Sequence, residues 1–72
     1  MAADFSNGQK VTWDLGNGPA HGTIVDRFNR KVARRIKDRI VTRYGSSDNP
    51  AYLITQEDGN EVLMLGSELK KA

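Results

Sequence analysis

Eight of the eleven lysine and arginine side chains in the sequence fall between residues 27 and 43: Arg27, Arg30, Lys31, Arg34, Arg35, Lys37, Arg39 and Arg43. Within that segment only Asp38 opposes them. Elsewhere the 72 residues hold Lys10, Lys70 and Lys71 against eight carboxylates. A net charge of +2 therefore conceals a basic segment in acidic surroundings. The chemistry open to such a segment is recognition of a polyanion. Each phosphate it neutralises releases a condensed counterion. Arginine suits the task because its planar fork donates two parallel hydrogen bonds. These eight residues are the candidate nucleic-acid contacts. The competing reading is a solvated face balanced by the acidic remainder.

Other chemistries find less support. Hydrolysis needs a nucleophile, a base within hydrogen-bond reach and a group to orient that base. The chain has no cysteine, and His21 is its only histidine. It stands between Ala20 and Gly22 at a loop edge, where an exposed or capping imidazole is the plainer role. No phosphate-cradling glycine loop or dinucleotide fingerprint occurs. One histidine without cysteine cannot build a structural zinc site. The residues thus point to a non-enzymatic chain with no metal and no cofactor.

The elements that must carry the basic segment are short. Val11, Trp13 and Leu15 alternate with Thr12 and Asp14, as in a strand with one buried face. Gly16-Asn17-Gly18-Pro19 breaks that strand. A second runs from about His21 to Phe28, with imperfect alternation that suits a bent or bulged strand. Residues 29–38 admit two readings. Val32, Ile36 and Ile40 stand at helical spacing, and Asn29 could cap a helix. As a hairpin, the second strand continues to Ile36, and Lys37-Asp38-Arg39 turns the chain. The β-branched residues here lean toward strand. In the strand reading Ile40, Thr42 and Tyr44 share the core side, and Arg39 and Arg43 face outward together.

Residues 45–50 form a loop, and residues 51–56 a fourth strand with Tyr52 and Ile54 on one side and Leu53 on the other. Asp58-Gly59 turns into a fifth strand over residues 61–65. The chain then closes in one helical turn, with Ser67 as cap, Leu69 plugging the core and lysines at its negative end. Five short strands with glycine-bearing turns suit a small closed barrel better than a sandwich. The organisation is a flexible N-terminus over residues 1–7, one domain over 8–70 and a tail of 71–72. Met1-Ala2-Ala3-Asp4-Phe5-Ser6 has neither the basic start nor the apolar run of a signal peptide. No apolar run approaches the length that crosses a bilayer. The lack of cysteine fits a cytoplasmic setting.

These residues carry a family resemblance. Gly8-Gln9-Lys10-Val11-Thr12-Trp13 and His21-Gly22-Thr23-Ile24-Val25 resemble the opening of the Tudor-like domains named after hypervirulence-associated proteins. The similarity continues through Ile36-Lys37-Asp38-Arg39 and Asp48-Asn49-Pro50-Ala51-Tyr52-Leu53-Ile54, and ends with Asp58-Gly59 and Ser67-Glu68-Leu69. It implies an all-β fold, a small five-stranded SH3-like or Tudor-like barrel with a C-terminal helical turn. It also favours the hairpin over the helix. Two departures stand out. Asp38 occupies the hairpin tip where the family pattern has glycine, and Met64-Leu65-Gly66 replaces a His-Lys-Pro run.

Eukaryotic Tudor relatives hold methylated lysine or arginine in an aromatic cage, through cation–π attraction. The rings available for one are Phe5, Trp13, Phe28, Tyr44 and Tyr52, of which Trp13, Tyr44 and Tyr52 are the candidate cage residues. Strand parity instead sets each beside aliphatic residues, where a thin core needs large rings. The reading that results is a small binding module contacting the backbone of RNA or DNA through its basic hairpin. The alternative is an adaptor for a protein or peptide, or one that dimerises through apolar residues such as Leu63 and Leu65. Either way the chain is expected to be a monomer or weak homodimer without a membrane partner.

Overall fold

The computed structural model describes residues 4–72 and is all-β. Strand β1 spans Lys10–Asp14 and β2 spans Pro19–Phe28. The next two, β3 (Lys31–Ile36) and β4 (Arg39–Tyr44), form the basic hairpin. Strands β5 (Ala51–Thr55) and β6 (Glu61–Leu65) follow, then a 3₁₀ turn over Gly66–Glu68 and a two-residue β7, Lys70–Lys71. Hairpin and not helix is therefore the form of residues 31–44.

One sheet has the order β6-β5-β2-β1-β7 and the other contains β3 and β4 alone. The expected barrel does not close through hydrogen bonds. The chain bends at Asn29-Arg30, so β3 leaves the first sheet and does not extend β2. The hairpin meets β6 through side chains: Arg43 Nε donates to the Leu63 carbonyl at 3.1 Å. Within β2 the register shifts between Ile24 and Asp26. This is the bulge its broken alternation implied, and Val25 stands exposed there.

Strand β5 separates two apolar clusters. Tyr52 and Ile54 join Phe5, Val11, Trp13, Ala20, Ile24 and Leu69 on one side. Ala51 and Leu53 join Val32 and Leu63 on the other, with Phe28, Ile36, Val41 and Leu65 packed against them. All residues from Ala51 to Ile54 are buried, because the residues of the first cluster cover one side of the strand and those of the second, with the hairpin, the other. The Tyr52 hydroxyl, wholly buried with its ring, accepts from the Phe5 N–H and donates to Asp4 Oδ1. A buried hydroxyl left without partners would oppose folding.

Several expectations are corrected. Phe5, assigned to a flexible N-terminus, is 3% exposed and meets the Tyr52 ring edge-on at 5.5 Å. Residues 1–3 of that segment lie outside the described residues. The tail is also ordered into the sheet, since Lys71 and Lys70 pair with Val11 and Thr12. Leu15, expected in the core, is 65% exposed because β1 ends one residue earlier. The closing turn is capped not by Ser67 but by Glu68, whose Oε1 accepts from the Leu65 N–H at 2.8 Å. Ser67 instead binds the Asn49 side chain, its N–H donating to Oδ1 and its hydroxyl accepting from Nδ2. Leu69 plugs the core as expected. Leu63 is buried and Leu65 half-buried against the second cluster, so neither offers an open apolar patch.

Candidate nucleic-acid interface

Opposed residues of an antiparallel pair point to the same side of the sheet. The register Lys31↔Tyr44, Val32↔Arg43, Ala33↔Thr42, Arg34↔Val41, Arg35↔Ile40 and Ile36↔Arg39 therefore sorts the hairpin into two faces. Val32, Ile36 and Val41 contact the second cluster, which identifies the inner face. Arg34, Arg39 and Arg43 share that face. Arg43 is half-buried and held by the Leu63 carbonyl, whereas Arg34 and Arg39 lie exposed at its rim. The outer face carries Lys31, Ala33, Arg35, Ile40, Thr42 and Tyr44, all exposed.

The sequence parity is thus inverted in β4. Ile40 and Tyr44, expected inside, are 67% and 70% exposed. Arg39 and Arg43, expected outside, share the inner face. Strand β4 has β-branched residues at both parities, Ile40 and Thr42 against Val41, so alternation alone does not select a face. The docking of Val41 and Arg43 on β6 does.

The other basic residues surround this hairpin. Lys37, at the two-residue tip, has φ of 56°. The left-handed conformation thus falls one residue before the Asp38 position where it was expected. Arg27 and Arg30 flank the bend before β3, where they line a shallow concavity of about 340 Å³ with Phe28 and Asn29. Arg27 reaches Asp4 at 3.1 Å. It is the one member of the eight in an ion pair among the described residues. The Arg30 guanidinium lies over the Phe28 ring at 5.6 Å, and Lys31 Nζ over the Tyr44 ring at 5.4 Å. Both are cation–π distances. Among the described residues, no carboxylate pairs directly with a cation of the hairpin.

The structure does not bring the three candidate cage rings together. Trp13 and Tyr52 are buried in the first cluster, and Tyr44 belongs to neither cluster. His21 is exposed and lines a separate cavity of about 480 Å³ with Lys10, Thr55, Gln56 and Glu57. Two glycines hold the scaffold in shape. A Cβ on Gly22 would land on Ile54 Cγ2 and 3.2 Å from the Trp13 ring. A Cβ on Gly45 would land on the Phe28 carbonyl and 2.8 Å from the Ala51 nitrogen, where the hairpin returns to β5.

Sequence reasoning missed the pairing of Tyr44 with Lys31 and the anchoring role of Arg43. The hairpin register carried the first signal. The second depended on the position of Leu63, twenty residues away, and had none.

Among the described residues no helix is long and apolar enough to cross a membrane. No curated protein and no solved structure is a significant match to the chain. The family model for the Tudor domain of hypervirulence-associated proteins matches residues 8–69, from the turn before β1 to the leucine that plugs the core. Tudor-like domains are generally small binding modules. An all-β chain with these strands, this bulge and this closing turn, matched over most of its length, belongs to the hypervirulence-associated protein Tudor domain family.

Proposed function

We propose that this domain is a non-enzymatic binding module of the cytoplasm that holds the phosphate backbone of a nucleic acid on its β3–β4 hairpin. The observation that carries the reading is the state of the cations. Arg30, at the bend, and Lys31, Arg34, Arg35, Lys37 and Arg39, on the hairpin, are exposed and form no ion pair with a carboxylate among the described residues. Unpaired cations concentrated on a narrow element attract a linear polyanion more strongly than the same charges dispersed. Arg27 and Arg43 contribute less, since Asp4 and Leu63 already engage them.

Labelled single-stranded and duplex oligonucleotides titrated at two salt concentrations test the reading. Non-specific binding should show Kd of about 10⁻⁴–10⁻⁶ M and weaken steeply with salt. The double variant Arg34→Glu, Arg35→Glu should bind more weakly, with a salt slope shallower by about two contacts' worth. Unchanged binding by that variant removes the hairpin as the site. The exposed Ile40 and Tyr44 favour a second reading, a protein or peptide partner. Under it a partner is retained at high salt and oligonucleotides do not bind.

A further inference from the structure

The outer face of the hairpin is chemically distinct from the inner one. Its β4 half carries Tyr44, Thr42 and Ile40, and its β3 half carries Lys31, Ala33 and Arg35 directly opposite. Each large exposed apolar side chain therefore stands beside a cation: Tyr44 beside Lys31, and Ile40 beside Arg35. The concavity at the bend repeats the combination, with Arg30 over Phe28. Ring or aliphatic surface thus stands beside positive charge at the bend, at Lys31–Tyr44 and at Arg35–Ile40, with the uncharged Ala33–Thr42 pair between the last two, along a six-residue strand of about 17 Å at the usual rise per residue.

The fold gains little from this arrangement. Tyr44 packs in neither apolar cluster, while the chain's other tyrosine and its tryptophan are buried. An exposed ring beside a row of cations is what an unpaired nucleic-acid strand can use. Its phosphates meet the charges while a base lies on the ring. A duplex offers the same phosphates but keeps its base faces stacked inside.

On the reading that the hairpin binds nucleic acid, we propose that its outer face is a track for single-stranded nucleic acid. One unpaired base stacks on Tyr44, and the adjoining phosphates are held by Lys31 and Arg35. The length of the strand fits about four nucleotides, the lower end of what small β-domains accommodate. The concavity of Arg27, Phe28, Asn29 and Arg30 receives the strand at the root of the hairpin.

Fluorescence anisotropy with a labelled oligo-dT and a duplex of equal length separates the two levels of the claim. Tyr44→Ala should weaken single-strand binding by about 5- to 150-fold, the range one stacked base contributes. Tyr44→Phe should bind as the unaltered protein does. Duplex binding and the salt slope of the remaining single-strand binding should not change, because no phosphate contact is lost. Thermal melts of both variants should match the unaltered protein, as the side chain is exposed. If Tyr44→Ala binds oligo-dT normally while Lys31→Glu, Arg35→Glu abolishes binding, the stacking track is wrong and the hairpin reading stands. Equal losses on duplex and single strand also overturn the track, and favour the ribbon lying in a duplex groove. If the unaltered protein binds neither oligonucleotide, both claims fall.

Discussion

Individual side chains here are constrained by contacts that composition does not show. Gly22 sits where any Cβ would strike Ile54 and crowd Trp13, two members of the first cluster. Gly22→Ala is expected to cost about 1–3 kcal/mol, as overpacked cores do, read as a lower denaturant midpoint with an unchanged m-value. Lys37 presents the opposite case. Its φ of 56° lies in the region where L-residues are strained by roughly 1–2 kcal/mol. Lys37→Gly relieves that strain but adds backbone entropy to the unfolded chain. A net gain of several tenths to about 1 kcal/mol should appear in the same denaturation measurement. A loss would mean that the lysine side chain supports the tip in some other way.

At the scale of elements, the hairpin is the least integrated part of the molecule. It shares no backbone ladder with the five-stranded sheet. Its attachment consists of Val32, Ile36 and Val41 on the second cluster and the Arg43–Leu63 hydrogen bond. A half-buried charge-assisted bond of this kind is worth about 1–2 kcal/mol. Arg43→Ala should therefore raise amide exchange in β3 and β4 selectively, leaving β1, β2 and β5 near their original protection. Uniform acceleration would show instead that hairpin and sheet open together. Opening of this element bears on the proposed function, since the exposed cations and Tyr44 to which that reading assigns binding are carried on it. Much of it was legible in advance: Asp58-Gly59 marks the β5–β6 turn, and the broken pattern of β2 marks its bulge. The faces of β4 were not legible, because Ile40 and Val41 are equally suited to burial and only the neighbouring β6 distinguishes them.

The molecule as a whole is tied together by its ends. Phe5 and β7 both lie outside the residues matched by the family, yet one fills the first cluster and the other extends the sheet. Asp4 links the same end to Tyr52 and, through its ion pair, to Arg27 at the base of the hairpin. Phe5→Ala should cost about 3 kcal/mol or more, as buried Phe truncations do. That is a large fraction of what so small a domain possesses. A thermal melt of this variant would check it, and an unshifted transition would mean that Phe5 does not dock. The charge layout also bears on association. Pairing two β3 strands edge to edge would bring Lys31, Arg34 and Arg35 against the same residues of a second copy, which like-charge repulsion opposes. Sedimentation at low salt should find a monomer, with any dimer emerging only as salt screens those charges.

The sequence by itself determined the class of the fold, the positions of most strands and turns, and the concentration of positive charge in the middle of the chain. These are local matters: side-chain parity, β-branching, glycine and proline at turns, and simple counting. Only the tertiary structure decided which side of the hairpin is buried, that Arg43 is a tether, that Phe5 is core and that the sheets do not close into a barrel. Each depends on which distant residue arrives next to it. A strand apolar on both faces carries no record of that neighbour until the chain has packed.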